Sequence, residues 1–187
     1  MEKLHKPDFN KISTYRKVFV ITCLIASIIW GIMGSVISIV KFVNYNHPYI
    51  FGFILGTLGL IIGIIISIKF KQRICISQKM YSDYVRTPIF IVAGFIGTFL
   101  YLGVNLNQSL SSIEKCDNYE VIDKLFIQGR SRQPSKINLY LNVEGKVIVL
   151  ACNKKYWDTV AIGQTVNICF YKSKIGFDYI ILTDEKK

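Results

Sequence analysis

The residues that could perform acid–base or nucleophilic chemistry are few and widely separated in this chain. Its two histidines, His5 and His47, lie before and after the first apolar segment. If that segment crosses a membrane, the imidazoles lie on opposite sides, so no Cys–His dyad or Ser–His–Asp arrangement forms within one chain. The sequence also lacks closely spaced Cys/His zinc ligands and phosphate-binding glycine loops. We therefore expect no catalytic, cofactor-binding or metal-binding residues.

The carboxylates of the C-terminal half fall in expected turns, termini and polar strand faces, which is typical of solvated surface charge. They are Glu114, Asp117, Glu120, Asp123, Glu144, Asp158, Asp178, Asp184 and Glu185. Without a histidine or a metal site beside them, we interpret these acids as surface residues and expect that the protein is not an enzyme.

Five cysteines divide between the two halves of the chain. Cys23 lies in the first apolar segment and Cys75 in a basic loop, whereas Cys116, Cys152 and Cys169 lie in the C-terminal half. Cys169 falls within an expected strand, while Cys116 and Cys152 fall at strand ends, where the Cα separation of a disulfide is easier to meet. This favours a Cys116–Cys152 disulfide, with three buried thiols as the alternative.

Composition excludes an ordinary soluble domain. Of 187 residues 51% are hydrophobic and 19% charged, and the mean hydropathy is +0.37. The net charge is +11, and most of the excess lies in residues 1–105, which hold 11 basic and three acidic residues, against 12 basic and nine acidic residues in 106–187. A nucleic-acid-binding domain would spread that excess over its folded body. We expect no nucleic-acid contact.

Three apolar segments are predicted to cross a membrane: residues 18–40, 49–68 and 89–105. The third reaches full length only if the neutral stretch 105–108 continues the helix. The first follows a basic leader, residues 1–17, but its apolar run is longer than that of a secretory signal and two more spans follow. We interpret it as an uncleaved anchor.

The basic residues flanking these spans predict the orientation, because positively charged loops stay in the cytoplasm. The N-terminal flank and the second loop are basic, whereas the first loop has one basic residue and the third span has none after it until Lys115. The flanking residues are Lys3, Lys6, Lys11, Arg16 and Lys17, then Lys41, then Lys69, Lys71, Arg73, Lys79 and Arg86. This pattern predicts a cytoplasmic N-terminus and an extracytoplasmic C-terminal domain. High isoleucine and lysine usage favours a bacterial inner membrane.

The C-terminal region, residues 119–187, changes to two-residue alternation typical of β-strands. The predicted strands are residues 119–128, 136–143, 146–151, 164–171 and 177–183. Glu144 and Gly145 supply a two-residue hairpin turn. Residues 106–118 are expected to be a polar linker, and residues 129–135 a flexible loop.

The run from Ala161 through Gly163, Val166 and Tyr171 resembles a strand entry seen in small β-barrels, including OB-like and membrane-tethered bacterial domains. The predicted fold class is therefore membrane α + β: three transmembrane helices followed by a five-stranded, barrel- or OB-like domain. A domain this small has a thin core, so we expect it to depend on a disulfide, on docking or on oligomerisation.

Small residues recur at helical spacing in all three spans, which lets helix backbones approach closely. The predicted packing residues are Ser27, Gly31, Ser35, Gly52, Gly56, Gly59, Gly63, Ala93 and Gly97. The sequence leaves open whether they pack within the chain or between chains.

The second loop alternates aromatic and basic residues at near-helical spacing, which suits an amphipathic surface helix. Its basic surface comprises Lys69, Lys71, Arg73 and Lys79. This surface suits anionic lipid or an acidic cytoplasmic protein; the alternative is that its charge only fixes the topology.

Elimination and architecture together predict a non-catalytic integral inner-membrane protein acting through protein contacts. It would be a sensor, scaffold or immunity subunit of a bacterial defence or competition system, with no cofactor. Its expected partners are the lipid bilayer, a second copy or another membrane protein, and a cytoplasmic protein. The alternative is a homo-oligomeric pore lined by Thr22, Thr57, Thr98 and Tyr101, which are sparse for a continuous wettable path.

Overall fold

A computed structural model describes residues 12–82, 84, 87–129 and 135–183. Predictions for the leader up to Lys11, for Arg86, for most of the loop 129–135, and for Asp184 and Glu185 lie outside the described residues. The chain forms two compact units. We call residues 12–40 and 49–105 the helical unit, and residues 41–48 and 106–183 the β unit.

Three helices are long and apolar enough to cross a membrane: α1 (Thr14–Phe42), α2 (Pro48–Lys69) and α5 (Thr87–Ser109). This confirms the three expected helices, and the third does continue through residues 105–108. Helical backbone suits such apolar sequences, because each N–H and C=O finds its partner within the segment. Ser38 and Ser67 are buried, and their hydroxyls also find partners within the helix. They donate hydrogen bonds to the carbonyls of Gly34 and Gly63, respectively.

The loop between α2 and α5, which we call the basic loop, contains two short helices, α3 (Lys71–Ile74) and α4 (Gln78–Ser82). The sequence predicted one amphipathic helix there. The backbone of Cys75 is extended and ends α3. The Ser77 hydroxyl then accepts a hydrogen bond from the Met80 N–H at 3.2 Å. A serine cap of this kind starts a new helix, so the periodicity is interrupted between Ile74 and Gln78.

The β unit contains a five-stranded antiparallel sheet curled into a half-barrel. Its strands are β1 (Ser111–Ile127), β2 (Lys136–Val143), β3 (Lys146–Ala151), β4 (Thr165–Ser173) and β5 (Tyr179–Leu182), in the order β3-β2-β1-β4-β5. Five strands were expected, and β2 and β3 have the predicted bounds. The predicted turn joins them: Glu144 and Gly145 have φ of 53° and 80°, as a type I′ turn requires.

Strand β1 replaces the polar linker expected at residues 106–118. Helix α5 continues to Ser109, and β1 begins at Ser111 and pairs with β4 as far as Glu120 before it pairs with β2. Residues 112–118 are exposed on both faces. A strand without a buried face has no apolar alternation, which is why the sequence pattern did not predict it.

The core lies on the concave face of the half-barrel. Its most deeply buried side chains are Val121, Leu139, Leu141, Leu150, Val166, Ile168 and Leu182. A helix that was not predicted, α6 (Lys154–Thr159), packs against this core through Tyr156 and Trp157. It begins where the Asn153 side chain accepts a hydrogen bond from the Tyr156 N–H at 2.7 Å.

Candidate functional site

Residues 41–48, which join α1 to α2, form a clamp between the two edge strands of the half-barrel. The Asn44 side chain donates to the Ala151 carbonyl at 3.0 Å and accepts from the Ala151 N–H at 2.9 Å, at the end of β3. The Asn44 carbonyl accepts from the Ile180 N–H of β5 at 3.1 Å. One residue therefore joins both open edges, and we call residues 41–48 the clamp.

Aromatic stacking holds the clamp against β5. The Tyr45 ring stacks on Tyr179 with centroids 5.0 Å apart, and Tyr179 stacks on Tyr171 at 4.8 Å. The Asn46 N–H donates to the Asp178 carbonyl at 3.0 Å. Burial raises the pKa of Tyr45 and also that of Tyr179. Both phenols are therefore neutral at physiological pH.

A buried polar network supports the turn that precedes β5. Asn107 is fully buried; its amide donates to the Phe177 carbonyl at 2.9 Å, and its oxygen accepts from the Ser173 hydroxyl at 2.7 Å. The Asp178 carboxylate accepts from the Ser173 N–H at 2.8 Å. Asp178 is thus a structural residue, unlike the solvated acids among which the sequence placed it.

Beyond the clamp, the outer edge of β3 is open. Cys152 directs its N–H to Ile137 of β2, whereas the N–H and C=O of Ala151 point outward to Asn44. Because these directions alternate along a strand, Val149 and Val147 also direct their backbone groups outward. β3 pairs with β2 alone among the described strands. An unpaired edge of this kind is a template for another strand.

The side chains at this edge are apolar and exposed. Val147 is 59% and Val149 48% exposed. In the β2 register they lie opposite Asn142 and Tyr140, on the convex face of the sheet. We call the outward backbone and side chains of Val147 and Val149, with the neighbouring Tyr140, the β3 edge surface.

The basic loop lies at the same end of the helical unit as the start of α1. The Arg16 guanidinium donates to the carbonyls of Gln72 and Arg73, at 3.3 and 3.1 Å. Of the predicted basic residues, Lys69, Arg73 and Lys79 are exposed. Lys71 is half-buried, with its ammonium 4.3 Å from the ring centre of Tyr81 and 4.9 Å from that of Tyr84.

The Tyr84 side chain connects this loop to the end of α2. Its hydroxyl donates to the Ser67 carbonyl. Burial raises the pKa of Tyr84 to about 12, with a smaller contribution from Cys75, whose own pKa burial raises. The Tyr84 hydroxyl therefore stays protonated, as its donor role requires.

Most of the predicted small residues pack helices of the same chain. Gly31 lies against the Ala93 backbone and against Gly97, while Gly59 lies against the Ile96 backbone. Gly63 contacts Val92, and the Ser27 hydroxyl donates to the Phe90 carbonyl at 3.1 Å. Gly34 and Gly94, which were not singled out, make contacts of the same kind.

Two of the predicted packing residues, Gly56 and Ser35, make no such contact with a neighbouring helix through the groups described. A Cβ at Gly56 would have no atom of a neighbouring helix within 4 Å, so Gly56 is not part of the packing within the chain, and its packing between chains stays a prediction. The Ser35 hydroxyl donates to the Gly31 carbonyl of its own helix. Gly56 and Gly59 lie only about 60° apart around the helix, yet of the two only Gly59 meets the α5 backbone within the chain.

The disulfide prediction was wrong in its second cysteine. Cys116 is bonded to Cys169, with Cα atoms 4.1 Å apart, and Cys152 is in no disulfide. The two bonded cysteines lie directly opposite each other in the β1–β4 register. Once residues 111–118 are a strand, Cys116 is no longer at a strand end, and the argument for Cys152 no longer holds.

The acidic residues and His47 do not converge in the described part of the chain. Glu114, Glu144 and Asp158 form surface ion pairs with lysines. His47 is exposed, and the described residues contain no group of three or more His, Cys, Asp or Glu arranged to hold a metal. No protein-family model, curated protein or solved structure matches this chain.

Proposed function

We propose that the chain is a non-catalytic inner-membrane protein that binds a protein partner through its β unit. The observation that supports this most is the β3 edge surface, where backbone hydrogen-bonding groups and exposed valines lie together. A partner strand added there gains main-chain hydrogen bonds from the edge and specificity from the side chains. A sensor, a scaffold and an immunity subunit of a bacterial defence or competition system all need such a contact.

Two observations support an extracytoplasmic β unit. The Cys116–Cys169 disulfide suits an oxidising compartment, because thiols stay reduced in the cytosol. The contact of Arg16 with Gln72 and Arg73 brings both basic flanks to one end of the helical unit. By the positive-inside rule that end is cytoplasmic. We therefore place the N-terminus and the basic loop inside, and the β unit outside, a bacterial inner membrane.

We also infer an OB-like fold for the β unit. OB-like domains are five-stranded, partly open barrels, and here the open side between β3 and β5 is bridged by the clamp through Asn44. The clamp supplies the support that a small core needs.

The structure lends less support to a homo-oligomeric pore. The small-residue stripes pack helices of one chain, so they are occupied before any subunit contact forms. Two of the four proposed pore-lining side chains are also engaged. Thr98 accepts a hydrogen bond from the Trp30 indole N–H at 3.0 Å, and the Tyr101 ring packs edge-on against Trp30.

Photo-crosslinking in living cells tests the proposed contact. A photoreactive residue at Lys146, beside the edge, should give a discrete protein adduct, whereas one at exposed Thr165, on β4, should not. Val149→Lys should abolish the Lys146 adduct, because a charged side chain blocks edge pairing, and Thr165→Lys should leave it unchanged. An adduct of twice the chain mass would identify the partner as a second copy. Equal adducts at both positions, or none at Lys146, would overturn the proposal.

A further inference from the structure

A small groove opens on the helical unit beside the basic loop. It encloses about 260 Å³ and is lined by four α1 side chains between Phe19 and Leu24, by Arg73 and Ile74 of α3, and by Ile91 of α5. Among the described residues that line it, Arg73 alone is charged. The groove therefore combines an apolar interior with one guanidinium group.

The backbone of Arg73 is attached to α1, and its side chain lies beside the Phe70 ring. Arg16 donates to the carbonyls of Gln72 and Arg73, which attaches α3 to the start of α1. The Arg73 guanidinium carbon lies 5.6 Å from the centre of the Phe70 ring. Arg16 is thus engaged in holding the loop, while the exposed guanidinium of Arg73 forms no ion pair with any described residue.

The charge around the groove is uncompensated within the described helical unit. It carries the cations Arg16, Lys17, Lys69, Lys71, Arg73 and Lys79, and its described residues include no Asp or Glu. An anionic occupant would therefore meet an excess of positive charge among the described residues. The apolar lining between Phe19 and Leu24, inside the first candidate span, requires that the same occupant also be apolar.

We propose that this groove binds one acyl chain of an anionic glycerophospholipid, with the lipid phosphate at the Arg73 guanidinium. Arginine matches phosphate through paired, charge-assisted hydrogen bonds. Basic pockets between membrane helices on the cytoplasmic side recognise anionic headgroups in this way. This site is independent of the partner contact proposed at the β3 edge surface.

Native mass spectrometry of the full chain tests the headgroup contact. The protein is released from micelles containing phosphatidylglycerol and phosphatidylcholine with identical acyl chains, and retained lipids are counted. The wild type should retain one phosphatidylglycerol in preference, and Arg73→Gln should reduce that preference about tenfold. Lys79→Gln removes an exposed cation outside the groove and should preserve the preference. Equal losses in both variants, or no preference in the wild type, would overturn the site.

The groove itself is tested by filling it. Val20→Trp places an indole among the lining residues and should abolish retention of the bound lipid. Ile21→Trp, an exposed α1 position that does not line the groove, is the matched control and should retain it. Retention unchanged by Val20→Trp would contradict an acyl chain in this groove. Far-ultraviolet circular dichroism shows whether Val20→Trp is folded. If it is not, Leu24→Phe is used in its place to fill the groove.

Discussion

The helical unit is held by backbone contacts at glycines, whereas the β unit is held by a hydrophobic core, a disulfide and the clamp. In the proposed membrane setting, lipid would give no hydrophobic driving force between the helices, so close approach of small residues would supply the contact. The β unit buries leucine, isoleucine and valine away from water and strengthens a thin core with cross-links. The two units should therefore fail under different substitutions.

They also differ in how they compensate charge. In the β unit, Lys115 pairs with Glu144 at 3.0 Å, and hydrogen bonding to Glu144, followed by Tyr119, raises the pKa of Lys115. The described helical unit has six cations and no carboxylate. The described β unit neutralises much of its own charge, whereas no described carboxylate pairs with the cations of the helical unit. This contrast supports lipid contact at one unit and protein contact at the other.

The largest expected effect is disruption of the helical unit by Gly97→Leu. A Cβ at Gly97 would lie 2.6 Å from the Gly31 Cα, and backbone cannot move aside as a side chain can. We expect a loss of about 3 kcal/mol or more, measured by thermal unfolding in detergent. Gly56→Leu, where the space is open, should have little effect. Equal destabilisation by both variants would show that these glycines do not pack as described.

Removing the disulfide should damage the β unit next most strongly. Cys116→Ser opens a loop with a sequence separation of 53 residues and should cost about 2–4 kcal/mol. Denaturant unfolding measures the loss, and alkylation of unreduced protein counts the thiols. Cys152→Ser should preserve the disulfide. Loss of the disulfide in Cys152→Ser would restore the original pairing prediction.

The clamp contributes less than the disulfide to the stability of the β unit. Asn44→Ala removes both side-chain hydrogen bonds to Ala151 and should cost about 1–3 kcal/mol. Hydrogen exchange should accelerate at the Ala151 amide, while amides in the middle of β2 stay protected. The exposed neighbour His47 provides the control His47→Ala, which should leave exchange unchanged. Protection at Ala151 that survives Asn44→Ala would mean that the clamp does not hold β3.

The smallest effect concerns pH and the basic loop. The pKa of Tyr84 rises from 10.0 to about 12, so the folded protein keeps the phenol neutral where the unfolded chain ionises it. The stabilisation of the folded state by neutral Tyr84 is complete below pH 10 and is lost as the pH rises towards 12. Ultraviolet difference titration of wild type against Tyr84→Phe should isolate a tyrosinate step near pH 12. A step near pH 10 would contradict the buried hydrogen bond to Ser67.

Local periodicity predicted the features that a short stretch of residues can encode. The three apolar helices, strands β2 and β3, and the Glu144–Gly145 turn follow from runs, alternation and turn chemistry. Gly31, Gly59 and Gly63 were also identified from spacing alone. The spacing could not separate Gly56 from Gly59, because which helix face meets a neighbour depends on tertiary packing.

Long-range pairing was beyond the sequence pattern. The clamp joins Asn44 to Ala151, 107 residues apart, and no local signal relates them. The polar first half of β1 is held by pairing with β4 and has no buried face. The Cys116–Cys169 disulfide depends on this β1–β4 pairing. The β3 edge surface likewise follows from the observed strand order, which alternation does not determine.

Sidedness of the two units is the most direct test of the proposed membrane arrangement. With Cys23, Cys75 and Cys152 replaced by serine, a single reporter thiol is introduced at exposed Lys155 of the β unit or at exposed Ser77 of the basic loop. Intact cells whose outer envelope admits the reagent are treated with a maleimide that cannot cross the inner membrane. Lys155→Cys should be labelled at once, and Ser77→Cys only after the inner membrane is permeabilised. Labelling in the reverse order would place the β unit in the cytoplasm and contradict the account.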